Sequence, residues 1–474
     1  MNIGDWLDKA KAELEKINVD EVRQTGILPQ GGQKFFPVIG YPPLTMYSDM
    51  DQTALFNNFQ DRTPRPLSAY IHIPFCPTRC TFCHWITKTK SIAEEVDVYL
   101  DYLDKEMALY KTQMGVERIP ASSVLIGGGT PTYLDVKQTE RFYEMIHRHY
   151  DLSQCTQFSV EADPSTIIGE EGLQKLKIMK AGGVDRISMG VQSFSDPVLK
   201  YMGRSHTHVQ TLEAIETMRK ADIDNIFIDL IYAYPNQTVK DWAQNMLLAT
   251  TLDIDGYQLY RLRIKQHGDR QGNIIREFNK RPERFASVDE ILLMKMLGKV
   301  ISEDNGYHEY QARIFSKKEN DMSHYLRDWT NELYDVAGVG VSAWSNLRGV
   351  FSLNVGDQSL QSYYDLIDQG KVSVNRGKVR SDDDEVRRSF LLPLKNIKVN
   401  KKKFTERTGK KISDLFQAEI NWLKQFDLIA ENADHVWLTD RGRFFADEVT
   451  TQFFNPAYLP FPDVSQISKM VSSG

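Results

Sequence analysis

Apolar positions along the chain change period several times, and the changes outline its organisation. Near the start, Trp6, Leu7, Ala10, Leu14 and Ile17 recur at helical spacing. A Gly/Gln/Pro-rich stretch at 26–37 follows, and Pro42, Pro43, Pro64 and Pro66 keep the chain irregular up to the first strand. The first ~60 residues thus form an added N-terminal extension, bounded at 64. From 65 to about 270, short β-rich runs at 69–73, 123–126, 157–161, 186–190, 225–230 and 256–262 alternate with amphipathic helices. The clearest helix sets Val96, Leu100, Leu103, Met107 and Tyr110 against Glu94, Asp97, Asp101 and Lys105. Leu173, Leu176, Ile178 and Met179 begin another, which Gly182-Gly183 caps; Leu212, Ile215 and Met218 mark a third. Six strands in this alternation predict an α/β fold, with a parallel sheet curled into a partial (β/α)6 TIM-like barrel.

Beyond ~270 the pattern predicts mostly helix, with a Gly-rich turn at Gly338-Val339-Gly340-Val341. Residues 271–380 are expected to complete the barrel or link it onward, and 381–474 to form a C-terminal helical domain. Within that domain, 400–438 follows a winged-helix pattern: two helices, then a hairpin of Leu428-Ile429 and Val436-Trp437-Leu438. Lys398, Lys401, Lys402, Lys403, Arg407, Lys410 and Lys411 cluster there. Such a cluster is either a DNA-binding wing or a solvated helix face capping the barrel.

Charge favours the second reading. Across 474 residues, Lys plus Arg number 58 against 64 Asp plus Glu, a formal charge of −6, which argues against a nucleic-acid-coating surface. A composition of 41% hydrophobic and 26% charged residues excludes a disordered or fibrous chain. With acids from Asp5 onward and no apolar run of ~18 residues, the expectation is a cytoplasmic protein without membrane contact.

Cysteine placement supplies the chemistry. Cys76, Cys80 and Cys83 fall within eight residues, directly after a strand, while Cys155 stands alone in a turn and receives no role. Thiolates this tightly spaced read as metal ligands rather than a disulfide framework. Three of them at C-x3-C-x2-C suit one face of an iron–sulfur cube and leave one iron open to a small molecule. The alternative, a zinc site completed by His84, pairs that fourth ligand directly with Cys83, a poor geometry.

Gly127-Gly128-Gly129-Thr130-Pro131-Thr132 follows the second strand and lets a ligand approach the backbone. Polar residues follow later strands: Glu161, Gln192, Arg204 and Asp229. Residues at the C-terminal ends of successive barrel strands converge on one mouth, where barrel active sites lie.

These motifs together make the chain similar to radical S-adenosylmethionine (SAM) enzymes, within the oxygen-independent coproporphyrinogen III oxidase family and its methyltransferase-like relatives. The resemblance runs from Gly40-Tyr41-Pro42 through the cysteine motif, 127–132, 188–194 and 229–232 to 338–343. It implies a [4Fe-4S] cluster on Cys76, Cys80 and Cys83, whose open iron takes the amino and carboxylate groups of SAM. Cleavage of the SAM C–S bond then yields a 5′-deoxyadenosyl radical. Two SAM molecules are implied: Tyr70, Gly128 and Glu161 hold the first, and Phe82, Gly129, Thr130, Gln192, Arg204 and Asp229 the second. Arg263 and Trp344 correspond to further binding positions, and Tyr70, Glu161 and Arg204 to the catalytic core. A flavodoxin or ferredoxin is the implied electron donor, since one cysteine outside the motif is too few for another cluster.

Two departures bear on the reaction. The oxidases carry a glycine and a further cysteine after the third ligand, where this chain has His84 and Trp85. Residues 257–263 also differ from the oxidases' apolar, asparagine-containing segment. The expected function is therefore methylation or alkylation of a tetrapyrrole or other flat heteroaromatic, with the second SAM as carbon donor. Trp85, Tyr260 and Trp344 offer aromatic surface for it, and Arg261 or Arg263 can meet its carboxylates. The alternatives are oxidative decarboxylation by an oxidase and haem handling by a chaperone.

Overall fold

In the computed structural model the described residues are 1–28, 40–60, 65–264, 273–356 and 359–458. Most of the Gly/Gln/Pro-rich stretch, and Pro64, lie outside them. All six expected strands form: β1 (Leu67–Ile73), β2 (Ser123–Gly128), β3 (Phe158–Ala162), β4 (Arg186–Gln192), β5 (Asn225–Tyr232) and β6 (Gly256–Arg261). They pair in parallel, in chain order. Helices α1 (Ile3–Ile17), α2 (Ala93–Met114), α4 (Gly169–Ala181) and α5 (His208–Lys220) match the quoted apolar periods, and α3 (Val136–His149) and α6 (Val239–Thr251) fill the remaining crossovers. In α2 the predicted face, Val96 to Tyr110, is buried.

Helix outweighs strand among the described residues after 270, as expected, but the strands there extend the sheet. Beside α7 (Val288–Asp304), residues 271–380 contribute a run of strands. β7 (His308–Gln311) and β8 (Ile314–Ser316) form a hairpin antiparallel to β6. β9 (Asp335–Val339) joins the free side of β1 in parallel, so the barrel holds seven parallel strands rather than six. β10 (Trp344–Leu347), β11 (Val350–Asn354) and β12 (Val374–Val379) continue the sheet antiparallel. The expected glycine turn begins inside β9. A Cβ on Gly338 would lie 2.0 Å from the Trp344 carbonyl oxygen, so glycine here marks close strand approach.

Two buried polar clusters fix this frame. Ser68, Ser123 and Asp328 meet at its lower end, where both hydroxyls donate to Asp328 Oδ2, at 3.4 and 2.8 Å. Higher up, α2 inserts the fully buried Glu106. Its carboxylate accepts from Gly340 N (2.6 Å), Tyr363 Oη (2.9 Å), Ser373 N (3.1 Å) and Ser373 Oγ (2.6 Å). Burial pushes its pKa up, and those donors pull it back only in part. The clasp sets the 338–341 segment against β1, where Tyr99 Oη bridges His72 O (2.7 Å) and Val341 N (3.2 Å).

The C-terminal region comprises α8 (Asp382–Lys395), α9 (Lys401–Thr408), α10 (Ile412–Gln425) and a small sheet of β13 (Lys398–Asn400), β14 (Ile429–Glu431) and β15 (His435–Leu438), the wing pattern expected. Two of its lysines meet carboxylates of this chain, Lys401 with Glu431 at 2.8 Å and Lys403 with Glu332 at 3.2 Å, while Lys402 is largely exposed. Arg407 donates to Glu332 O. Lys403 and Arg407 thus tie the domain to Glu332, and Lys401 braces it internally. Among the described residues no helix is long and apolar enough to cross a membrane.

Candidate active site

Strand parity decides what faces the barrel interior. On β1 the alternation puts Ser68, Tyr70 and His72 on one face and Ile71 and Ile73 on the other. Register carries that face across the sheet, with Glu161 opposite Ser188, and Ile231 opposite Tyr260. Tyr70 Oη and His72 Nδ1 are 3.0 Å apart. Glu161 Oε2 accepts from Gly128 N at 3.1 Å, and Ser188 Oγ donates to Asp229 Oδ1 at 3.5 Å.

Each glycine of the triplet serves a different neighbour. A Cβ on Gly127 would lie 2.6 Å from Glu161 Oε2, and one on Gly128 2.6 Å from the His72 ring. At Gly129 it would lie 2.8 Å from Phe75 O, backbone that cannot move aside. Gly128 also has φ +112°, a conformation that side chains rarely adopt. Left-handed conformations recur on non-glycine residues at other strand ends: Gln192 (φ 66°), Ala233 (φ 62°) and Ser342 (φ 60°). Such strain gathers where surrounding structure forces it, commonly at functional sites.

The cysteine loop lies over this mouth. Cys76 is buried, whereas Cys80 and Cys83 are partly exposed, and all are free thiols. Thr130 Oγ1 donates to Cys76 Sγ at 3.4 Å, and Arg204 donates to Cys80 Sγ at 3.2 Å. Arg204 also holds Asp163 Oδ2 at 2.8 Å and donates to Gly190 O. A Cβ on Gly190 would come within 2.9 Å of the Gln192 side chain, so that glycine makes room for both polar groups.

Electrostatics in the interior are set by burial. Asp229 shares the inward face of β5 with Ile231, and burial with Glu161 nearby raises its pKa to about 7. Glu161 and Tyr70 are also pushed up, chiefly by burial. Arg186, which the sequence does not single out, faces these carboxylates, and burial lowers its pKa to about 10. Buried Arg186 Nε, Arg204 Nε and Ser342 Oγ have no hydrogen-bond partner.

The remaining expected residues divide. Trp344 joins the interior group: its ring centroid lies 6.5 Å from that of Tyr70 and stacks on Phe351 at 5.3 Å. Phe82 instead packs edge-on to Tyr234 at 6.4 Å, in a satellite cluster with Met202 and Ile274. Arg263 follows β6 and meets the cysteine loop through its carbonyl, 3.4 Å from His84 Nε2. Asp163 escapes the sequence reading. It binds Arg204, Ser165 and Ser205, and its only signal is its place two residues after Glu161.

The thiol set fits an iron–sulfur cluster. Burial raises Cys76 to about 12 and Cys83 also upward; bound iron replaces such protons. Two of the three sulfurs already face side-chain donors, Thr130 on Cys76 and Arg204 on Cys80. Among the described residues no group of three His, Cys, Asp or Glu side chains closes on a single ion.

Comparison with known proteins agrees with this geometry. Residues 70–249 match the Radical SAM superfamily, and 381–445 match the HemN C-terminal domain. The heme chaperone HemW of Bacillus subtilis is 32% identical over 390 residues, covering 81% of this chain and 98% of that protein. The chain belongs to the radical SAM superfamily. The oxygen-independent coproporphyrinogen III oxidase of Helicobacter pylori is also similar, 27% identical over 431 residues, 86% of this chain and 90% of the oxidase. The structure of coproporphyrinogen III oxidase (HemN) from Escherichia coli superposes with a TM-score of 0.75 at 25% identity, covering 89% of this chain and 97% of HemN. The radical SAM core thus sits in a chain of HemN-like architecture.

Proposed function

We propose that this protein is a SAM-cleaving enzyme of the coproporphyrinogen III oxidase type, acting on a tetrapyrrole that carries carboxylates. The observation carrying the proposal is the HemN-like architecture around a set of polar groups: Tyr70, Glu161, Gln192 and Asp229 on β1, β3, β4 and β5, with Arg204 in the segment that follows β4. When bound, the cluster and SAM supply a 5′-deoxyadenosyl radical. Cys76, Cys80 and Cys83 hold the iron. The Gly127–Gly129 backbone and Glu161 receive the cofactor's polar groups, and Tyr70 with Trp344 forms an aromatic wall that excludes water. Gln192, Asp229 and Thr130 remain for a second SAM, and a flavodoxin or ferredoxin for the electron.

A second reading is a heme-handling chaperone, favoured by the 32% identity to HemW. Against it, the sequence match to HemW covers 81% of this chain, whereas that to the Helicobacter pylori oxidase covers 86%. Alkyl transfer, the reaction expected from the departures at His84 and 257–263, finds no counterpart among the relatives named here. One experiment separates all three. Anaerobically reconstituted, reduced protein is incubated with methyl-labelled SAM and coproporphyrinogen III, and in parallel with SAM and haem. Release of carbon dioxide with new vinyl groups is the result expected; label in the tetrapyrrole would favour alkyl transfer. Stoichiometric haem retention without turnover would favour the chaperone.

A further inference from the structure

A cavity of about 470 Å³ lies outside the barrel, between β6, the β7–β8 hairpin, α7 and residues 443–448. Parity separates it from the mouth. Tyr260 shares the inward face with Asp229, whereas Tyr232 and Arg261, paired at the ends of β5 and β6, face outward. Tyr232 there packs against Trp242 of α6, with centroids 5.4 Å apart.

The cavity wall carries Arg261, Lys295, Arg313 and Arg443. Three carboxylates face them, and two of these are already engaged: Asp447 pairs with Lys395 at 2.8 Å, and Glu309 accepts from Arg313 N at 2.6 Å. The third, Glu448, is pushed toward its neutral form by burial, as is Glu309. Cationic donors are therefore in surplus. Arg313 Nε and Arg443 Nε are buried with no hydrogen-bond partner, and Arg313 sits at φ 72°, a strained position for a side chain of its size. Ile291, Leu292 and Phe445 make the opposite wall apolar. Buried guanidinium donors gain most from an oxyanion, and a pocket of this size with a few convergent polar groups suits one small molecule.

We propose that this cavity is a binding site for a small organic anion, with a carboxylate or phosphate group held by Arg313 and Arg443 and an apolar body against Ile291, Leu292 and Phe445. The test is calorimetric titration of the reconstituted full chain with 2-naphthoate, 2-naphthyl phosphate and uncharged 2-naphthalenemethanol, without reductant. At least one anion should bind one-to-one and the alcohol should not; which anion binds identifies the head group. Arg313→Gln and Arg443→Gln should each weaken binding at least tenfold, with SAM affinity unchanged. Ile291→Trp, which fills the apolar wall, should abolish binding even if an arginine variant fails to fold. Absence of saturable binding by both anions, or binding by all three variants as tight as the parent's, would overturn the proposal. So would a parallel loss of SAM affinity, which would assign these arginines to the barrel mouth. Because no turnover is read, failure here is distinct from failure of the oxidase reading.

Discussion

Arg204 spans two groups with one guanidinium, holding the Asp163 carboxylate at 2.8 Å and donating to the Cys80 thiol at 3.2 Å. It thereby ties the end of β3 to the cysteine loop. Both partners of the ion pair are nearly enclosed, with side-chain exposures of 10% and 7%, so removal of either leaves a buried, uncompensated charge. Asp163→Ala should destabilise the cluster-free protein by about 3–5 kcal/mol, read from urea unfolding. A change below about 1 kcal/mol would mean the pair is solvated in solution.

Glu106 offers a sharper case, because the isosteric change should be harmful. Hydrogen-bond donors converge on both of its oxygens. An amide in place of the carboxylate would set its own N–H groups against some of them. Glu106→Gln should therefore cost about 1–3 kcal/mol despite unchanged volume. Equal stability of the two proteins in denaturant titration would refute the clasp.

Gly127 tests the mouth without touching the cysteines. Its missing Cβ leaves room for the Glu161 carboxylate, which a Cβ there would approach to 2.6 Å. Gly127→Ala should displace that carboxylate, keep the iron content of the reconstituted protein, and weaken SAM binding at least tenfold by equilibrium dialysis. Unchanged SAM affinity would remove Glu161 from the cofactor's binding groups.

Asp229 should leave a signature in pH. Burial, then Glu161, raises its pKa to about 7, above the unfolded value of about 4. A carboxyl raised on folding favours the native state while protonated, and that contribution is lost as pH climbs from about 4 through 7. In SAM-free protein, Asp229→Asn should thus gain stability relative to the parent across that window. Parallel pH profiles for the two would contradict the assignment.

What the sequence made legible follows from how each signal arises. The six strands of the barrel announce themselves because short apolar runs alternate with long amphipathic helices, and the cysteine spacing is chemically specific. β9 is hidden because Gly338 and Gly340 look like a turn, whereas Gly338 serves the Trp344 backbone pressed against it. Glu106 is invisible for another reason: an acid in a helix ordinarily faces water, and only tertiary contacts reveal the donors that surround this one. Arg204 and Asp229 are expected to follow strands, yet Asp229 lies inside β5 and Arg204 comes after the helix Asp196–Met202 that follows β4. Asp163 and Arg186 go unnoticed because their charged partners lie far along the chain: Arg204 for Asp163, and Asp229 and Glu161 on the flanking strands for Arg186. Phe82 follows the motif, yet its ring packs beside Tyr234.

The most direct measurement is SAM cleavage by the anaerobically reconstituted protein under dithionite, with 5′-deoxyadenosine and methionine quantified together. Equal amounts of both should form, and Cys76→Ala, Cys80→Ala and Cys83→Ala should each abolish them along with the bound iron. Intact SAM beside a fully loaded four-iron cluster, or cleavage that persists in the cysteine variants, would contradict the account.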